Sequence, residues 1–190
     1  MSKAVLISIR PKWVEKIING EKTIEVRKTH PKLQTPFKCH IYCTMDHPYI
    51  SVSCGELDKL NYRTNTVGRC NGKVIGEFTC DRIYRIDKDS TDFVFKAGKL
   101  SIYRKAAEKK CGLRVAMTDD ELHGYLGYCQ GYGWHISDLR IYDKPRELSE
   151  LKPPFEKCAN KVCDEFLCAS CECGSIKRPP QSWCYVEEEK

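Results

Sequence analysis

The spacing of hydrophobic residues near the start of the chain differs between three successive segments. Residues 4–9 are apolar and largely β-branched, which predicts a buried strand. Residues 11–19 carry apolar side chains at i,i+4 spacing behind Pro11, so we expect a helix that ends at Gly20. Residues 23–27 alternate with period two and predict a strand whose three polar side chains lie opposite its two apolar ones.

Similar patterns predict further elements along the chain. Period-two or apolar segments predict strands at residues 37–43, 74–84, 93–95, 134–136 and 139–142. Helical character marks residues 100–110 as far as Gly112, and Thr118 with Glu121 forms a capping-box sequence before a helix over 119–126. Residues 44–72 lack a clear period and are interpreted as an irregular insertion or long loop. The mixture predicts an α+β protein.

Length and composition restrict the class of protein. A chain of 190 residues with 41% hydrophobic side chains suits one folded domain with an appendage. The longest apolar run is far below the roughly 20 residues that a membrane helix needs, so we expect no membrane span. The first residues also lack the pattern of a secretory signal, and we therefore expect a cytoplasmic protein.

Positive charge is concentrated at one end of the chain. The first 40 residues hold nine lysines and arginines against three acids, whereas the remainder is balanced, so the whole net charge of +6 arises there. Such a field attracts polyanions, which makes RNA, a nucleotide or a phosphorylated metabolite the first partner to consider. A solvated basic face without a ligand is the alternative interpretation. No phosphate-binding loop, dinucleotide fingerprint, zinc-protease motif or serine-hydrolase elbow occurs.

An acid and two bases follow the first predicted helix. Lys22 precedes the strand, and Glu25 shares one of its faces with Arg27. A lysine meets a phosphate as a point charge, and an arginine grips one with two donors. We expect these side chains to border a cationic notch that is open to solvent. The alternative is an ordinary surface ion pair of little energetic value.

This segment resembles the hallmark G-x-K-x-x-E-x-R of the ASCH family, a branch of the PUA-like proteins. Gly20, Lys22, Glu25 and Arg27 match its fixed positions, and the resemblance extends over roughly residues 3–148. It implies a PUA-like, mostly antiparallel β-barrel with flanking helices in residues 1–148. Residues 149–190 would then form a separate, irregular cysteine-rich extension, whose last apolar residues return to the barrel as a strand.

The resemblance also implies a cleft for RNA or a nucleotide beside the motif. The expected binding residues are Lys12, Lys22, Glu25, Arg27, Tyr132 and His135. Trp134 is a further stacking candidate, although its spacing is more typical of a core residue. Some related bacterial proteins are amidohydrolases that act on acylated cytidine, and an enzyme of this kind would use Lys22 and Glu25 as catalytic residues. Glu25 stands where those enzymes have threonine, which weakens the hydrolase alternative.

The extension carries the densest group of the 13 cysteines. Reduced cytosolic thiols at knuckle spacing favour a structural zinc site, which would help a tail with little core to fold. Five candidates compete for four positions, and free thiols or a redox cluster remain alternatives. A zinc-bound tail that contacts a protein partner is the third functional hypothesis. The candidate ligands are Cys158, Cys163, Cys168, Cys171 and Cys173.

Overall fold

The computed structural model describes residues 2–47, 50–52, 68–88, 92–127, 129–154 and 175–188. Their contacts divide the chain into two compact units. The first comprises Met1–Val14, Lys38–Phe78 and Arg140–Lys190, and the second comprises Glu15–Phe37 and Thr79–Leu139. The expected boundary between residues 148 and 149 stays a prediction. No helix in the described ranges has the length and apolar character to cross a membrane.

The described residues form twelve strands, three α-helices and one short 3-10 helix. In chain order they are β1 (Lys3–Ile9), α1 (Pro11–Ile18), β2 (Ile24–Arg27), β3 (Phe37–Cys43), β4 (Ser51–Val52), β5 (Gly68–Arg69), β6 (Val74–Cys80), β7 (Ile83–Lys88), β8 (Phe93–Ala97), β9 (Leu100–Tyr103), α2 (Arg104–Cys111), α3 (Asp119–Leu126), β10 (Gly131–His135), β11 (Ser137–Arg146), the 3-10 helix Leu148–Glu150 and β12 (Trp183–Glu187).

A five-stranded sheet organises the first unit, with strand order β11-β6-β3-β1-β12. β1 runs parallel to β3 and antiparallel to β12, so the apolar end of the chain returns as a strand beside the first one. β4 and β5 form a separate two-stranded sheet. One core cluster of this unit comprises Ala4, Leu6, Tyr42, Val74, Leu151 and Val186.

A second five-stranded sheet, of order β2-β10-β7-β8-β9, organises the second unit. One of its faces packs against α2 and α3 and the segment that joins them. The alternating apolar side chains of the strands supply most of this core, as expected for a sheet that is covered on one face. The core residues are Ile24, Val26, Tyr84, Ile86, Phe93, Phe95, Ala107, Leu113, Val115, Leu122 and Leu126.

Two of the predicted helix ends in this unit are confirmed, the end of α2 and the start of α3. α2 is followed by Gly112 in the left-handed conformation, at φ 66°, where a glycine carries no steric penalty. The Thr118 side chain accepts a hydrogen bond from the Glu121 amide, and the Glu121 carboxylate accepts one from the Thr118 amide. This capping box begins α3 at the predicted residue.

Three other expectations need correction. The single strand predicted over 74–84 is two strands in different sheets, because the period-two pattern continues across the break at residues 81–82. The helix predicted from residue 100 begins only at Arg104, since residues 100–103 pair with β8 in a hairpin. The α+β class and the mostly antiparallel sheets are confirmed, whereas the described strands form open sheets instead of a closed barrel.

Candidate nucleic-acid interface

The start of β2 is fixed by the segment that follows α2. The Thr23 hydroxyl donates to the Gly112 carbonyl at 2.8 Å and accepts from the Arg114 amide at 2.8 Å. The Arg114 carbonyl in turn accepts from the Thr23 and Ile24 amides at 2.8 and 3.0 Å. These bonds hold residues 112–115 beside the motif that the sequence singles out.

The three charged motif residues form a continuous buried chain. The Lys22 ammonium donates to the Val115 carbonyl at 2.7 Å and lies 3.5 Å from Glu25 Oε2. Glu25 Oε1 is 3.0 Å from an Arg27 guanidinium nitrogen. Burial lowers the pKa of Lys22 below its usual value, and the attraction of Glu25 only partly opposes that shift.

The expectation of an open notch at this motif is wrong. Lys22, Glu25 and Arg27 are only 2%, 5% and 7% exposed, respectively. Because one carboxylate bridges two cations inside the protein, the cluster acts as an internal tie. Period-two alternation predicts that Glu25 and Arg27 face solvent, whereas all four residues of β2 are buried.

A row of polar side chains nevertheless leads outward from Arg27 across the sheet. Directly opposed residues of antiparallel strands project from the same face. The register therefore aligns five side chains, one from each strand of the second-unit sheet. In order they are Arg27, Tyr132, Arg85, Lys96 and Ser101.

Tyr132 lies between two glycines of β10, Gly131 and Gly133. A Cβ at Gly133 would meet Ile24 Cγ2 at 2.8 Å, and one at Gly131 would meet Leu126 Cδ2 at 2.6 Å. Glycine therefore allows the opposite face of β10 to approach the core closely. On the outward face, the half-buried Tyr132 ring lies 4.4 Å from the His30 ring, with an interplanar angle of 55°.

A groove of about 630 Å³ runs beside this ring pair. Three cations line it, and the described part of its lining includes no acidic side chain. Its lining residues, which we call the arginine groove, are His30, Leu33, Gln34, Thr35, Arg82, Ile83, Arg85, Lys96, Ala97, Gly98 and Tyr132.

One carboxylate just outside the groove orients two of its cations. Asp87 Oδ2 lies 2.8 Å from an Arg85 guanidinium nitrogen and 2.8 Å from the Lys96 ammonium. Burial tends to raise the pKa of Asp87, but hydrogen bonds from Lys96 and Arg85 outweigh it and hold the pKa below its usual range. The side chains of Arg85 and Lys96 remain 48% and 42% exposed, which leaves donors for an anionic ligand.

The other predicted binding residues lie elsewhere. Lys12 is exposed on α1 in the first unit, 4.6 Å above its neighbour Trp13. His135 pairs with Asp81 at 2.6 Å and stands opposite Ile24, so it does not share the face of Tyr132. Trp134 is fully buried against Phe37, which confirms it as a core residue. Of the predicted set, only Tyr132 lines the groove.

Sequence reasoning missed Arg82, Arg85 and Lys96. The local pattern does place Arg85 and Lys96 on the outward faces of their strands. Tyr84 and Ile86 alternate with Arg85, and Phe95 precedes Lys96. Which strands become neighbours is a long-range property, so no local pattern brings these cations together.

The first unit contains a cluster of three polar side chains, Tyr142, Glu77 and His40. The Tyr142 hydroxyl donates to Glu77 Oε2 at 2.8 Å and lies 3.1 Å from His40 Nδ1. Burial, followed by the adjacent Glu77 carboxylate, raises the pKa of Tyr142. His40 is buried. The cluster therefore links three strands of the first sheet internally.

The predicted zinc ligands Cys158, Cys163, Cys168, Cys171 and Cys173 lie outside the described residues. Zinc binding there stays a prediction. Within the ranges that the structure covers, no group of three or more metal-binding side chains is assembled.

The chain matches no known family profile and no curated protein. Among solved structures it is similar to the crystal structure of ASCH from Zymomonas mobilis, at 16% identity and a TM-score of 0.46 over 97% of this chain and 88% of that chain. A single-residue mutant of the same protein gives 15% identity and a TM-score of 0.48 over 98% and 92% of the two chains. These identities are too low to transfer a function.

Proposed function

We propose that the protein binds single-stranded RNA or a nucleotide through the arginine groove. The observation that carries this proposal is the placement of Arg82, Arg85 and Lys96 in one groove with the His30 and Tyr132 ring pair. Cations that follow a phosphate backbone and aromatic rings that stack on bases are the two components of sequence-tolerant single-strand binding.

The hydrolase alternative receives less support from the same geometry. A catalytic Lys22 has to reach its substrate, but its ammonium is buried and engaged by the Val115 carbonyl and Glu25. We assign Lys22 and Glu25 instead to positioning β2, so that Arg27 and Tyr132 hold their places in the row. An interaction role of the cysteine-rich extension, residues 149–190, stays a hypothesis.

Fluorescence anisotropy with a labelled single-stranded RNA octanucleotide across a salt series tests the proposal. Three phosphate contacts predict that the logarithm of the affinity falls with the logarithm of salt concentration with a slope of about −2. Arg85→Ala should weaken binding and flatten the slope by about 0.7. Lys105→Ala, an exposed cation on α2, is the matched control and should change neither value.

Three results would contradict the proposal. One is a constant anisotropy at low salt with protein at tens of micromolar. Another is an Arg85→Ala variant that binds with the affinity and salt slope of the Lys105→Ala control. Equal binding of a glutamate oligomer would also contradict it, because an acidic peptide lacks the bases that the ring pair is proposed to stack.

A further inference from the structure

A second cleft lies on the same face of the second-unit sheet. It has a volume of about 360 Å³ and is lined by Asp87, Lys88, Val94, Lys96, Ser101 and Tyr103, which we call the Tyr103 cleft. Lys96 belongs to the lining of both this cleft and the arginine groove. The two depressions therefore share the Lys96 side chain.

The strand register shows that the residues of the two clefts lie in neighbouring rows that run across the sheet. Asp87, Val94 and Tyr103 stand opposite one another and form the row adjacent to Arg85, Lys96 and Ser101. From Tyr132 on β10 to Ser101 on β9 the row crosses three strand spacings, a distance of about 14 Å.

The Tyr103 cleft shares an aromatic side chain and cations with the arginine groove, but its lining also includes the acidic Asp87. Tyr103 is 48% exposed, an unusual amount for a large aromatic side chain, and it lies in a cleft with the cations Lys88 and Lys96. Asp87 Oδ2 lies 2.8 Å from the Lys96 ammonium and anchors it. Each depression thus combines an aromatic surface with lysine or arginine donors.

From this arrangement we infer that the Tyr103 cleft is a second base-stacking subsite for the same strand, so that the ligand is an oligonucleotide instead of a mononucleotide. This inference rests on the proposed function of the arginine groove. Stacked nucleotides advance by about 3.4 Å each, so a strand that reaches from Tyr132 to β9 needs about four steps. The strand crosses β10, β7, β8 and β9, with one phosphate near Lys96.

The length dependence of binding tests the inference. Labelled uridylate oligomers of two and five nucleotides are titrated against wild-type protein, Tyr103→Ala and Tyr103→Phe. We expect the five-nucleotide oligomer to bind at least tenfold more tightly than the two-nucleotide oligomer. In Tyr103→Ala that ratio should fall about tenfold, and Tyr103→Phe, which keeps the ring, should preserve it.

Tyr125→Ala is the matched control, because Tyr125 is an exposed tyrosine on α3 outside both clefts. Equal affinity for the two oligomers, or an unchanged ratio in Tyr103→Ala, would overturn the second subsite and leave the proposed function intact. Failure of both oligomers and of the octanucleotide to bind would overturn the proposed function itself. Thermal unfolding of each variant checks that the exposed substitutions preserve the fold.

Discussion

Two arginines flank Tyr132 in the same row of the second-unit sheet, and they have opposite surroundings. Arg27 is 7% exposed and ion-paired with Glu25, which also faces the buried Lys22. The side chain of Arg85 is 48% exposed and shares Asp87 with Lys96 at the edge of an open groove. The two side chains carry the same formal charge, but Arg27 stabilises the interior of the protein whereas Arg85 is available to bind a ligand. Burial, and not the presence of a charged motif, separates the two roles.

The largest expected effect comes from disrupting the buried cluster of Lys22, Glu25 and Arg27. Glu25→Ala leaves the cations of Lys22 and Arg27 without their shared carboxylate, and it should lower the free energy of unfolding by about 3–5 kcal/mol. Urea denaturation measures the loss. The control is Glu21→Ala, which removes a more exposed partner of Lys16 and should cost less than about 1 kcal/mol. Similar losses in both variants would show that the cluster is not an internal tie.

The next effect concerns ligand binding on the open side. Tyr132→Ala removes one ring of the pair and should weaken RNA binding about tenfold, a loss of 1–3 kcal/mol on the scale of base stacking. Tyr132→Phe should bind nearly as wild type does, because the stacking surface remains. Anisotropy titration at fixed salt gives both affinities. Loss of binding in Tyr132→Phe as well would assign the contact to the hydroxyl and contradict a stacking role.

The burial of Lys22 should make protein stability depend on pH. The ordinary pKa of the group is 10.5 in the unfolded chain, and burial lowers it in the folded protein. Between the lowered pKa and 10.5 the unfolded chain binds more protons, so the contribution of Lys22 to stability rises with pH in that window. The difference in unfolding free energy between wild type and Lys22→Met should shift in favour of wild type from pH 7 to pH 10. A pH-independent difference would contradict a lowered pKa.

The smallest effect is chemical and leaves the fold unchanged. Burial raises the pKa of Cys43 and of Cys80 to about 12, so both thiols should react slowly with iodoacetamide at pH 8. Cys111 and Cys129 are exposed and should be alkylated first. Peptide mass spectrometry over time follows the order of labelling. Early modification of Cys43 or Cys80 would show that their surroundings open readily in solution.

Local patterns predicted the parts of the molecule that depend on local physics. α1 follows its i,i+4 stripe to within one residue, α3 begins at its capping box, and β3 has the predicted bounds. The expectation that Glu25 and Arg27 face solvent was wrong, because alternation separates the two faces of a strand without saying what covers each one. Predicting the arginine groove requires the strand order β2-β10-β7-β8. That order is fixed by contacts between residues far apart in sequence, so no local pattern reveals it.

The central claim is that nucleic acid occupies the arginine groove while the Lys22, Glu25 and Arg27 cluster stays closed. An NMR titration of isotopically labelled protein with a single-stranded RNA octanucleotide tests both halves together. We predict that the amide signals of Arg85, Lys96, Gly98 and Tyr132 shift in a saturable manner, whereas the Lys22 side-chain signal stays in place. Shifts centred on Lys22 and Glu25, with the groove signals unchanged, would contradict this account.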